Sequence, residues 1–285
     1  MIPGIEKDEH GFPCLNVTVA GYRSRIYQHG AHLTHYGPIE GDPLIFLSEE
    51  ARFQEGQAIR GGIPIICPWF GDHPTDAEAP AHGLVRARPW EWAGHTATTD
   101  QVTVVLTTRI ENDPHYDGTL DLALTYTISK QLDLNLSVVN SGDHPVRCET
   151  AFHPYFHVGD VRQIKITGLQ GATYLDKEQN FARCHEAAGA ITIDGPTDRI
   201  YLDAIKTCTI EDPELRRKIV VTKKGSNSTI VWNPWVEKSR AFKDFGDDEW
   251  PGMVCVEQAN AADNALILPP GQQHVMRASY SVEPM

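Results

Sequence analysis

Residues 120–138 alternate with a period of two. Leu120, Leu122, Leu124, Tyr126 and Ile128 share one side of the chain, and after a turn at Ser129-Lys130-Gln131 the residues Leu132, Leu134, Leu136 and Val138 resume the pattern. Successive side chains of a strand point to opposite faces, so this spacing describes a β-hairpin with one buried face. The turn signal at Asn140-Ser141-Gly142-Asp143 closes it. Leu15, Val17 and Val19 alternate in the same way, and residues 102–110 are rich in Val, Thr and Leu. Further strands are expected at 164–166, 219–222, 229–232, 253–257, 266–268 and 274–282, with the loop 223–228 joining two of them. Helical periodicity is scarce, and only 49–55 and 239–245 read as short helices. Without long amphipathic helices there are no βαβ units, so many short antiparallel strands point to an all-β fold, a large antiparallel β-sandwich or barrel.

The length of 285 residues accommodates one large β domain, and no linker, low-complexity tract or repeat divides it, so a single domain over residues 1–285 is expected. The formal net charge of −13 argues against nucleic acid and anionic membranes as partners, because both need a basic footprint. A small anion remains possible as a ligand if a few arginines focus positive potential locally. Cys14, Cys67, Cys148, Cys184, Cys208 and Cys255 are scattered, form no CxxC pair, and read as buried reduced thiols. The N-terminal stretch lacks the basic and apolar regions of a leader, and no apolar run reaches membrane-spanning length, so a cytoplasmic protein is expected.

The chemistry-bearing residues sit in a few dense stretches. Arg60 opens the run RGGIPIICPWFG at 60–71, and His82 and Arg86 lie in PAHGLVR at 80–86. Arginine suits bidentate capture of carboxylate or phosphate, glycine admits close approach of backbone, and proline stiffens loops. Gly83 beside His82 reads as room for a ligand; a tight packed corner with solvated arginines is the other reading. His153, between Phe152 and Pro154, is placed to be a partly desolvated general acid or a satisfied core histidine. Glu257 follows the apolar run 253–256, as a buried functional carboxylate or as a strand-end glutamate facing water. Asp198, in a turn leading into a strand, is a hydroxyl-binding carboxylate or half of a surface ion pair with Arg199, and position alone favours the surface. His153 and His157 would stand about 13 Å apart on a strand, too far to share a metal. P-loop, Rossmann and nucleophile-elbow motifs are all missing.

Seven stretches in order, RGGIPIICPWFG, PAHGLVRARPWEW, AFHPYFHVGD, TDRIY, IVWNPWVEKS, DFGDDEW and MVCVEQAN, resemble the glucose-6-phosphate 1-epimerase (hexose-6-phosphate mutarotase) family. That family lies within the aldose 1-epimerase, galactose mutarotase-like superfamily. The resemblance runs from about residue 56 to residue 270. It implies a supersandwich with a cleft on one sheet, and interconversion of the α and β anomers of an aldose 6-phosphate, glucose 6-phosphate foremost. By motif position it assigns His153 and Glu257 as the catalytic acid and base, and His82 as a second site histidine. Arg60 and Arg86 become the phosphate-holding arginines, and Asp198 a carboxylate for sugar hydroxyls. It implies a small-molecule sugar phosphate as partner, a monomer, and neither metal nor organic cofactor. One departure is Ala81, where many relatives carry Gln. That change motivates the alternative of a mutarotase for unphosphorylated or other sugars. A non-catalytic carbohydrate-binding protein on the same sandwich is the further alternative.

Overall fold

The computed structural model describes residues 4–285; Met1, Ile2 and Pro3, part of the N-terminal stretch read above, lie outside the described residues. The alternation of residues 120–140 becomes the strands Leu120–Ile128 and Leu132–Asn140, paired antiparallel in register with every second side chain buried. They lie within an eight-stranded antiparallel sheet that runs, in spatial order, through Lys165–Thr167, Cys208–Asp212, Arg217–Lys224, Gln273–Pro284, this hairpin (Leu132–Asn140 first), Val102–Ile110 and Glu91–Ala97. A second eight-stranded sheet faces it, ordered Ala182–His185, Thr173–Asp176, Thr197–Tyr201, Ser228–Asn233, Met253–Asn260, Thr150–Phe152 and Ile65–Ile66, with Tyr155–His157 also pairing onto Met253–Asn260. A four-stranded sheet of residues 5–38 and a two-stranded ribbon complete the β structure. Leu124, Leu136, Val256, Phe156 and Tyr280 belong to one continuous core between the sheets. Each fully buried side chain of this size contributes roughly 1.5–3 kcal/mol.

The strand Met253–Asn260 lies in the middle of the second sheet and is buried along its whole length. Its alternate positions face different layers. Gln258 accepts a hydrogen bond from Tyr280 of the opposite sheet, so its side of the strand faces the inter-sheet core. Cys255, Glu257 and Ala259 therefore face the other way, onto the outer surface of the sheet.

Three local expectations change. The last of these central strands runs on to Asn260 rather than ending at Glu257, because its polar residues are paired inside: Gln258 donates to Val256 O at 2.6 Å and Asn260 donates to Gly225 O at 2.9 Å. Residues 49–55 form no helix. A stretch that short does not nucleate alone; its start is tied instead to Glu249, which accepts from Ser48 Oγ at 2.5 Å and from Glu49 N at 2.7 Å. The helix expected at 239–245 lies earlier, at Trp235–Ala241. Asn233 Oδ1 accepts from Trp235 N at 2.9 Å at its start, and Phe242 and Phe245 leave it to pack against Arg60 and Phe46.

Candidate active site

Register builds the site. Asp198 stands opposite Trp232, Trp232 opposite Cys255, and Cys255 opposite Tyr155. Partners directly opposite share a face. The four side chains thus form one row across four strands, about 14 Å long at three strand spacings. The next row along the strands carries Ile200, Ile230 and Glu257. His153 enters this row by an interruption. Phe152 pairs with Gln258 and Tyr155 with Cys255, so the same register carried across the gap sets His153 opposite Glu257. Pro154, which has no N–H to give a ladder, falls in the gap. The His153 amide turns away and donates to Pro64 O at 3.0 Å.

A cleft of about 490 Å³ lies over these rows. All six residues singled out from the sequence (Arg60, His82, Arg86, His153, Asp198 and Glu257) line it, although they come from five separate segments. Glu257 is 1% exposed, so the water-facing reading of this residue does not hold. His153 Nε2 comes within 3.3 Å of Glu257 Oε1, yet His153 Nδ1 and both Glu257 oxygens are buried without a hydrogen-bond partner among the described residues. Burial, and after it the charge of Asp198, pushes the Glu257 carboxyl well above the usual carboxylate range. Burial, reinforced by Arg86, depresses His153 to about 3.

His82 is held in the left-handed region at φ 64°. Its amide donates to Gly71 O at 2.6 Å, and its Nδ1 accepts from Gly71 N at 3.3 Å. The neutral ring therefore carries its proton on Nε2, and burial followed by Arg86 keeps it neutral. Gly83 does not open space for a ligand. A Cβ there would collide with the carbonyl of Cys67, so the glycine permits a close approach of two backbone segments.

The two arginines differ. Arg60 is committed: Asp244 pairs with it at 3.2 Å, its Nη1 donates to Tyr155 Oη at 3.3 Å, and it lies 4.3 Å over the Phe242 ring. Arg86 donates only to Ala81 O, at 2.7 Å, and pairs with no carboxylate among the described residues. Burial lowers it to about 10, the signature of a cation short of counter-charge. Asp198 is also buried rather than at the surface, and it pairs with Lys177 Nζ at 3.0 Å, not with Arg199. His157 turns away from the cleft to Arg217, which donates to its carbonyl at 2.7 Å.

Sequence reasoning assigned no role to Tyr155, Trp232, Lys238, Phe242 and Asp244, although all five stand inside or within a few residues of the recognisable stretches. Lys177 follows a short strand in an unremarkable Lys-Glu-Gln segment and gave no signal.

The family model for aldose 1-epimerase matches residues 14–281. A curated relative from Cenchrus ciliaris, provisionally named a glucose-6-phosphate 1-epimerase, is 33% identical over 272 residues, covering 92% of this chain and 82% of the relative. An Escherichia coli K12 relative with the same provisional name is 30% identical over 251 residues, covering 87% and 83% respectively. The crystal structure of a provisionally named Salmonella typhimurium mutarotase superposes with a TM-score of 0.90 at 24% identity, covering 99% of this chain and 97% of that one. The fold is the mutarotase-like antiparallel sandwich. The chain belongs to the aldose 1-epimerase family, a family of mutarotases.

Proposed function

We propose that this protein interconverts the α and β anomers of a hexose 6-phosphate, with glucose 6-phosphate as the first substrate to test. The observation that carries the reading is the His153–Glu257 pair, 3.3 Å apart, buried and without other hydrogen-bond partners among the described residues, in a cleft also lined by Arg86, which pairs with no carboxylate among them. Mutarotation removes a proton from the C1 hydroxyl and supplies one to the ring oxygen, then reverses both on the other carbonyl face. Each transfer needs one base and one acid. The pKa directions favour a neutral pair, with a shared proton on Glu257 rather than on His153. Moving that proton to His153 creates the reactive form, with Glu257 as base and His153 as acid; ring opening returns the pair to its starting form. Burial is the main cause of the depression of His153 and Arg86 adds to it; a dianion beside Arg86 offsets that second part and so favours this form. Asp198 and the Nε2–H of His82 are placed to bind sugar hydroxyls, and Arg86, backed by Arg60, to bind the phosphate. The provisional names of the relatives support the phosphorylated substrate.

A second reading, an aldose mutarotase for unphosphorylated sugar, is favoured by one fact: Asp244 and Tyr155 already occupy Arg60. Saturation-transfer NMR of anomer exchange with glucose 6-phosphate, glucose and galactose in parallel separates the two. Acceleration of the phosphate alone supports the first reading; equal acceleration of the free sugars supports the second. Sugar binding with no acceleration of any of them overturns both, and leaves a carbohydrate-binding protein.

A further inference from the structure

A reacting imidazole is ordinarily oriented by a hydrogen bond at the ring nitrogen that does not react. Among the described residues His153 has no such bond: its Nε2 faces Glu257, and its Nδ1 is buried with no hydrogen-bond partner. Aromatic surface holds the ring instead. The Tyr155 ring stacks on it with centroids 5.0 Å apart and planes 17° from parallel. His82 and Trp232 meet it edge-on at 5.6 and 6.1 Å. Among these three neighbours only Tyr155 stacks, and Trp232 braces the Tyr155 ring in turn at 5.7 Å. Strand pairing with Cys255 fixes its backbone. The hydroxyl of the same tyrosine accepts from Arg60 Nη1 at 3.3 Å.

We propose that Tyr155 is a positioning residue for both ends of the site: its ring sets the plane of the His153 imidazole, and its hydroxyl sets Arg60 at the anion end. The proposal rests on the mutarotase reading above and adds a residue that controls both turnover and the preference for a phosphorylated substrate. The two roles belong to different atoms, so two substitutions separate them. Tyr155→Phe keeps the stacked ring and removes the contact to Arg60. Tyr155→Leu removes both.

The test is anomer exchange by saturation-transfer NMR on glucose 6-phosphate and glucose, with kcat and KM taken separately. Tyr155→Phe removes one long hydrogen bond to a guanidinium and is expected to raise KM for glucose 6-phosphate about 3- to 10-fold, about 0.7–1.4 kcal/mol. The rise for glucose is expected to be smaller. Tyr155→Leu is expected to lower kcat about a hundredfold on both sugars, the scale of a misplaced reacting group. A purely structural role would move both variants and both sugars alike, and that result overturns the proposal. Tyr155→Phe alone decides the anion half if the Leu variant does not fold: equal KM changes on the two sugars refute it. Wild-type protein that accelerates no sugar refutes the functional reading instead, so the two failures are distinguishable.

Discussion

Replacing Glu257 by Gln should cost activity and add stability, and the second effect tests the physics of the site without any substrate. The carboxyl is 1% exposed, with no hydrogen-bond partner at either oxygen. Burial raises its pKa well above the ordinary value. The folded state therefore holds this proton more tightly than the unfolded chain. Stability that is present below the unfolded pKa is lost as pH rises toward the folded one, because the native state binds more protons than the unfolded state throughout that window. Within the window the slope is about 1.4 kcal/mol per pH unit. For a chain of this size that is about 3 °C of unfolding midpoint per unit. Glutamine has no such slope. Any penalty for burying its amide shifts every pH equally, so the diagnostic is the divergence of the two curves above about pH 4.5 and not their offset. Thermal unfolding of wild type and Glu257→Gln, followed by circular dichroism from pH 4.5 to 8, measures it. Parallel curves would mean that Glu257 titrates as a solvated carboxyl and is not a desolvated base.

In the same variant kcat for anomer exchange should drop about 10²–10⁴-fold, the span of one acid–base contribution, with KM little changed. Arg86→Ala should raise KM for glucose 6-phosphate about 10- to 150-fold, as expected for one lost charge-assisted bond. Arg60→Ala should raise it less, because Asp244 and Tyr155 already occupy that guanidinium; equal effects from the two variants would contradict the distinction drawn between them. The pH profile of kcat/KM should be bell-shaped, since the pair works with one shared proton. The alkaline limb marks loss of that shared proton, so a wild-type profile without one would refute the sharing. On the acid side, His32 and His153 are both depressed to about 3, burial being the main cause. The unfolded chain then binds more protons than the native state between about pH 3 and 6.5, so stability present above that window should be lost as pH falls through it. His153→Gln should flatten part of that slope in a pH series of melting curves.

The strands were legible where one face meets core and the other meets solvent, as in Leu120–Ile128, because alternation in the sequence copies alternation in burial. Legibility failed where both faces are covered. Met253–Asn260 is buried throughout, so Glu257, Gln258 and Asn260 break the apolar run and read as its end, although the fold satisfies Gln258 and Asn260 inside. Asp198 was misplaced for the same reason: its neighbours Thr197 and Arg199 look solvated, and only the pairing with Trp232 puts it on the cleft. The candidate site residues were nameable through motif resemblance. Their meeting was not, because it depends on register between strands distant in sequence, such as Tyr155 with Cys255, a hundred residues apart. Lys177 and the commitment of Arg60 to Asp244 are likewise properties of the folded chain alone.

Adjacent residues on the central strand show what separates architecture from chemistry here. Gln258 and Glu257 are both polar and almost wholly buried, at 0% and 1% exposure. Gln258 faces the core and is paired with Tyr280 and the Val256 carbonyl. Glu257 faces the cleft, with His153 Nε2 3.3 Å away and no hydrogen-bond partner for either oxygen among the described residues. A buried polar group left unpaired costs about 1–3 kcal/mol, and more if charged. Unpaired groups of this kind are scattered singly elsewhere among the described residues, at Ser24, His32, Trp92, Arg217 and Ser226, whereas His153 and Glu257 contribute three such atoms within one contact. Arg86, which lines the same cleft, repeats the contrast: Arg60 has its carboxylate and Arg86 has none among the described residues. Those three residues leave free two proton carriers and one positive charge. A sugar bearing an anion, with a hydroxyl and a ring oxygen at the reacting carbon, supplies the complement of all three at once. On the proposed reading, binding of such a sugar would recover the cost the fold carries at these positions.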